Sequence, residues 1–243
     1  MLGRKKFPHV LLVHAGGLDH RMWQPLVDRL QDGYVLHAPD LRGHGDSPFP
    51  PGEFAHAEDL VRLLDHLRVK QAIVIGCSYG GWVALQLATL APDRVKAIAV
   101  MPGTLADSEE WSPELESFWE QEDALLEADD IDGAVELGVR TWVRDPQIAD
   151  LVRDMTRKAF ELQHGVEAEE RELPVDLDAV KVPTLAVSGG RDFPDFARMA
   201  DHVAAVVEGA ERAEIADAGH LIALERPDAT AELLRSWLQR VGA

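Results

Sequence analysis

Six short apolar runs with amphipathic stretches between them constrain this chain more than any other feature. The runs are HVLLVHA from His9, YVLHAP from Tyr34, AIVIG from Ala72, VKAIAVM from Val95, TLAVSG from Thr184 and RAEIAD from Arg212. Helical patterns cover Arg21 to Leu30, His56 to Leu67, Gly80 to Leu90, Phe193 to Val207 and Ala229 to Val241. A strand that is apolar along its whole length is buried on both faces, and strands separated by helices pair in parallel. The pattern predicts an α/β fold, a parallel sheet of about six strands with helices on both sides. At 243 residues, 46% of them hydrophobic, the chain can bury one such core.

The alternation breaks once. After Met101 about eighty residues pass before the next apolar run. They read as helices over Ser112 to Glu127, Asp130 to Val143, and Pro146 to about Gly165. Acidic first-turn residues in DDIDGAVEL and a proline at position 146 suit helix starts. Residues 1–103 and 183–243 are therefore expected to form the core. Residues 104–182 are expected to form a helical cap over the carboxyl edge of the sheet, where open α/β sheets bind ligands.

The formal net charge is −19, and a surface this acidic repels nucleic acid and anionic membranes. Roughly half of the acids lie between Ala106 and Val180. They read as a solvated helical surface, or more sharply as a field that steers cationic substrates. No run of about 18 apolar residues marks a transmembrane helix, and the first residues do not read as a secretory signal. Cys77 is the single cysteine, which excludes an internal disulfide and a cysteine-based zinc site. A cytoplasmic protein is the expectation, as monomer or homodimer.

The chemistry centres on AIVIGCSYGGWVAL. Gly76-Cys77-Ser78-Tyr79-Gly80 is a G-x-S-x-G between a strand and a helix. A nucleophile on so sharp a turn needs neighbours without bulk two places away on either side. Serine alone is a poor nucleophile and needs a base, a group to orient that base, and donors for the charge it creates. Asp192 stands just past the strand at Thr184, in SGGRDF, and His220 lies before the last helix, in ADAGHLIALERPD. The order serine, acid, histidine is that of a nucleophile elbow and its partners. Asp195 and Asp217 are rivals for the acid; the glycine pair before Asp192, which lets the chain turn out of its strand, favours Asp192. After the first strand comes HAGGLDHRMW, where N–H groups at Gly16 can approach a substrate oxygen, joined by that of Tyr79. Neither G-x-x-x-x-G-K-[ST] nor G-x-G-x-x-G occurs at this turn, which disfavours a phosphate loop.

HAGG, PDLRGHGDS, GCSYGG, GGRD and AGHLIALERPD together resemble the α/β-hydrolase superfamily over nearly the whole chain. The resemblance implies Ser78 as nucleophile, His220 as base, Asp192 as its partner, and the Gly16 and Tyr79 N–H groups as an oxyanion hole. It also implies structural roles for His44, Asp46 and His14. Two departures stand out. His14 is followed by Ala15 where the family usually has glycine, so the backbone there must not need positive φ. Most relatives carry an N-terminal hairpin, but only about eight residues precede the His9 strand, too few for two strands and a turn. The sheet is then expected to begin at the usual third strand, with the Tyr34 strand at an edge and no strands inside the cap.

The implied reaction is hydrolysis of a small-molecule carboxylic ester or lactone through an acyl-enzyme, without cofactor or metal. DHRMWQPLVDRL is similar to the matching stretch of oxoadipate enol-lactonases. Carbon–carbon-bond hydrolases, cofactor-free perhydrolases, hydroxynitrile lyases and ligand receptors with a retained triad use the same residues. Candidate pocket residues are Gly17, Trp111, Trp119, Trp142 and Leu221.

Overall fold

The computed structural model describes residues 7–103 and 111–242. β1 (His9–Val13) leads to α1 (Gln24–Leu30), β2 (Val35–His37) and a short β3 (Gly52–Phe54). Next come α2 (His56–His66), β4 (Ala72–Ser78), α3 (Tyr79–Leu90) and β5 (Val95–Gly103). The long helical segment holds α4 (Pro113–Glu127), α5 (Ile131–Trp142), α6 (Ala149–Gln163) and a short β6 (Ala168–Glu170). β7 (Thr184–Gly189), α7 (Pro194–Val206), β8 (Glu211–Ile215), α8 (Ile222–Glu225) and α9 (Pro227–Arg240) follow.

Six strands form one parallel sheet in the order β2-β1-β4-β5-β7-β8. Successive side chains of a strand point to opposite faces, and the apolar strands use both. Val10, Leu12, Ile73, Ile75, Ala99 and Val187 pack with Leu26 and Leu30 of α1 and Leu234 and Trp237 of α9. Leu11, Val13, Val74, Ile98 and Ala186 pack on the other face with Leu60 and Leu64 of α2, Val83 and Leu87 of α3, and Val203 of α7. The chain runs from β1 outward to β2 over one face and returns to β4 under the other. The carboxyl ends of β1 and β4 therefore flank a crevice at the switch in strand order, the place where such sheets take ligands.

β2 is an edge strand of the described sheet, and its length of three residues limits what it offers to another chain. The His37 ring stacks on that of His9 at 5.2 Å. The described sheet contains no antiparallel pair; residues 1–6, on which the expectation about an N-terminal hairpin bears, lie outside the described residues.

One expectation fails. The helical segment does contain a strand, β6, which pairs in parallel with β3 (Gly52 opposite Ala168, Phe54 opposite Glu170). Neither GEF nor AEE carries an apolar period. The pairing arises because α6 returns the chain alongside the loop after β2, where backbone groups need partners. Ion pairs fasten the same segment to the sheet domain, Lys158 to Asp46 at 2.6 Å, Asp154 to Arg21 at 2.6 Å, and Arg171 to Glu58. Among the described residues no helix is long and apolar enough to cross a membrane.

Candidate active site

Ser78 ends β4 and Tyr79 begins α3, with nothing between them. The turn is made by Ser78 itself, at φ 53° and ψ −122°, a conformation that a residue with a β-carbon adopts only under constraint. The constraint is packing. A methyl group at Gly76 would come 2.2 Å from the Gly80 carbonyl oxygen, and one at Gly80 would come 2.2 Å from that of Val13. Strand and helix can cross this closely only because both positions are bare. Tyr79 N–H is among the first of its helix, which have no intrahelical acceptor.

His220 sits in the loop between β8 and α8, 5% exposed. Its Nδ1 lies 2.8 Å from Asp192 Oδ2, and the Asp192 side chain is 1% exposed. Asp192 Oδ1 also accepts the Phe193 N–H at 2.8 Å. The ring packs against Phe196 at 4.3 Å and Trp142 at 4.6 Å, which fixes its plane and leaves Nε2 on the side away from Asp192. The loop is held in turn by Glu225, whose carboxylate accepts the N–H groups of Gly219 at 2.7 Å and Arg144 at 3.3 Å. The two glycines before Asp192 serve close approach rather than a sharp turn. Gly190 N–H donates to Ile215 O and Arg191 N–H to Ala218 O, and a methyl at Gly189 would come 2.2 Å from the Gly219 oxygen. The loops bearing Asp192 and His220 thus run backbone against backbone. The rival acids are elsewhere: Asp195 accepts the Ser112 N–H at 2.8 Å and pairs with Arg198, and Asp217 pairs with Arg226 at 2.7 Å on the surface.

The loop after β1 is pinned by two buried histidines. His14 Nδ1 lies 2.8 Å from Ala15 O and its Nε2 accepts the Leu41 N–H at 2.9 Å. His44 Nδ1 lies 2.8 Å from Arg42 O and its Nε2 accepts the Gly17 N–H at 3.2 Å. Both rings must be neutral, with the proton on Nδ1, to make these bonds. Burial enforces this, lowering His14 to about 3 and pushing His44 down as well. Ala15 fits where glycine is usual because the positive φ falls at Gly17, at 69°. Gly17 N–H is taken by His44, whereas Gly16 N–H makes no hydrogen bond among the described residues, and Gly16 lines the cavity. Gly16 adjoins Tyr79, since a methyl added there would touch the Tyr79 β-carbon at 3.4 Å.

These residues share one cavity of about 340 Å³. Gly16, Gly17, Ser78, Tyr79, His220 and Leu221 form its floor; Phe118, Trp119, Glu122, Gly138, Trp142, Thr156 and Phe160 come from the helical segment above, with Phe196 from α7. Trp111 does not line it. That ring stands behind Trp119, edge-on at 4.7 Å, and backs the wall rather than facing the cavity. The sequence reading missed Glu122, Thr156 and Phe196, because a single polar or aromatic residue on an amphipathic helix gives no sign of which neighbour it meets. A second cavity of about 320 Å³ adjoins the first through Gly16, Gly17, Tyr79 and Phe160 and carries Arg42, His56, Gln163 and Glu170. The Tyr79 hydroxyl donates to Glu170 there. Cys77, behind the elbow, is fully buried, and burial pushes its thiol well up, so it stays protonated and inert. Asp19, His20 and Asp40 bring three metal-type ligand atoms within 4.8 Å of one another. Their lone pairs are engaged by Arg21 and by the N–H groups of His20 and Asp46, which makes the cluster a brace for the loop after β2.

Comparison with known proteins agrees with this architecture. The chain is 28% identical to a pimeloyl-[acyl-carrier protein] methyl ester esterase of Neisseria meningitidis, over 97% of this chain and 96% of that one. It is 24% identical to 3-oxoadipate enol-lactonase 2 of Acinetobacter baylyi, over 98% and 91%. Among solved structures, a thermophilic esterase from Thermogutta terrifontis superposes with a TM-score of 0.79 at 25% identity, covering 97% of this chain and 91% of that one. The alpha/beta hydrolase family description matches residues 10–233, and the chain belongs to that family.

Proposed function

We propose that the protein is a serine hydrolase that cleaves a carboxylic ester or lactone through an acyl-enzyme on Ser78. The observation that carries this reading is the 2.8 Å contact of His220 with buried Asp192 beside the cavity onto which the strained Ser78 turn opens. Esterases and a lactonase among the relatives support the bond type.

In this mechanism Ser78 Oγ attacks the substrate carbonyl while its proton passes to His220 Nε2. Asp192 holds the Nδ1 proton and stabilises the imidazolium. The oxyanion is received by the Gly16 and Tyr79 N–H groups, donors that need not reorganise as the charge forms. Collapse expels the alcohol, which takes the proton from His220. Water then loses a proton to His220 and attacks the acyl carbonyl; collapse releases the acid as His220 returns the proton to Ser78 Oγ. In a lactone the alcohol and acid remain one molecule. Residues 104–182 act as the cap, and their aromatic side chains take the apolar arm of a small substrate.

Hydrolysis of p-nitrophenyl acetate and butyrate, followed by esters and lactones of graded chain length, tests this. Many turnovers per second are expected. A single burst that leaves a stable covalent adduct would instead make the protein a ligand receptor.

A further inference from the structure

Glu122 is the one carboxylate lining a cavity whose wall around it is mostly aromatic and aliphatic, with Thr156, Ser78 and His220 as its other polar side chains besides Tyr79, and no lysine or arginine lines it among the described residues. Phe118 and Trp119 come from its own helix α4, Trp142 from α5, Phe160 from α6 and Phe196 from α7. No hydrogen bond or ion pair satisfies it among the described residues. An unpaired carboxylate in such surroundings is costly. Burial, together with the neighbouring Asp123, raises its pKa to about 7, so the charged form is present at neutral pH but poorly solvated. A cation entering the cavity would relieve that cost. The rings beside it add to the attraction, because aromatic faces hold alkylammonium groups and disfavour anions.

We propose that Glu122 makes this cavity selective for substrates that carry an ammonium group in the arm filling it. The inference rests on the hydrolase reading above and names its substrate class. A neutral arm gains the apolar contact but leaves half-buried Glu122 without a counter-charge; a carboxylate arm is repelled. The net charge of −19 acts in the same direction at long range, by raising the local concentration of cations.

Two isosteric pairs test this. Methyl 4-(trimethylammonio)butanoate against methyl 5,5-dimethylhexanoate places the charge on the acyl side. Acetylcholine against 3,3-dimethylbutyl acetate places it on the alcohol side. In at least one pair the cationic member should have the higher kcat/KM, and Glu122→Gln should lower the cationic-to-neutral ratio by about 10- to 100-fold. Turnover of the neutral member by Glu122→Gln reports that the variant is folded. A ratio that Glu122→Gln leaves unchanged in both pairs overturns the inference and spares the hydrolase reading. Turnover of no member of either pair by a wild type that hydrolyses p-nitrophenyl acetate or butyrate overturns the inference alone; a wild type that hydrolyses none of these esters overturns the hydrolase reading, and the inference with it.

Discussion

On the floor of the cavity a methyl group added at Gly76 or Gly80 would come within 2.2 Å of a backbone oxygen; in the roof one added at Gly138 would meet nothing closer than 4.0 Å. The floor is built from main chain crossing main chain: strand against helix at Ser78, loop against loop at Gly189 and Gly219. The roof is built from side chains, with Phe118, Trp119 and Trp142 packed edge to face at 5.0 to 6.4 Å and tied down by surface ion pairs. Surface ion pairs contribute little each, roughly 0–1 kcal/mol. Backbone contacts dictate residue types at fixed spacings and position chemistry to a fraction of an ångström. Side-chain packing accepts many solutions, which leaves specificity free to vary over a constant reaction centre.

The largest expected effect is on the floor. Gly76→Ala should leave no folded protein, because neither strand nor helix can retreat from a 2.2 Å overlap; a cooperative thermal transition in that variant would contradict the close-packed elbow. Next, Asp192→Asn should lower kcat by about 10⁴-fold, since the wrong histidine tautomer then faces Ser78. Asp195→Asn should cost stability, about 1 kcal/mol for its hydrogen bond to Ser112, and little rate. Equal rate losses in the two would mean that the acid is misassigned.

A smaller effect concerns acid. His56 is 3% exposed and lowered by burial to about 4, and His14 to about 3, whereas an unfolded histidine titrates near 6.5. Between those values the unfolded chain binds more protons than the folded one. These groups therefore leave stability intact above about pH 6.5 and drain it as pH falls toward 4, by up to about 1.4 kcal/mol per pH unit each. His56 packs edge-on to Phe54 at 4.9 Å, so His56→Phe keeps the shape. Its stability should fall less steeply from pH 6.5 to 4 than that of the wild type; identical slopes would mean that His56 is not held neutral. The smallest effect lies in the roof. Gly138→Ala, inside α5, should raise stability by about 0.5–1 kcal/mol through helix propensity while narrowing the cavity, so that longer acyl chains lose more kcat/KM than acetate does. A loss of stability there would show that the roof is as tightly built as the floor.

The same contrast decides what the sequence reveals. The four central strands are legible because their apolar residues feed both cores, the edge strands β2 and β8 from shorter apolar runs that feed one core, and Ser78, Asp192 and His220 because each follows or ends a strand beside glycines that backbone crossings demand. The three helices of the segment above are legible from their period and their start signals. The β3–β6 pair is not, since GEF and AEE pair through main chain alone. Nor is the roof lining: Trp111 and Trp119 are equivalent as text, yet one backs the wall and the other faces the cavity. Glu122 reads as one more acid on a solvated helix until its neighbours are known.

The central claim is that Ser78 carries the acyl group. Exposure to a fluorophosphonate, followed by peptide mass spectrometry, tests it most directly. The account predicts one adduct, on Ser78, and a Ser78→Ala variant that takes no label and loses about 10⁴- to 10⁶-fold in kcat. An adduct on Cys77 or on any other residue, or hydrolysis that survives in Ser78→Ala, would contradict it.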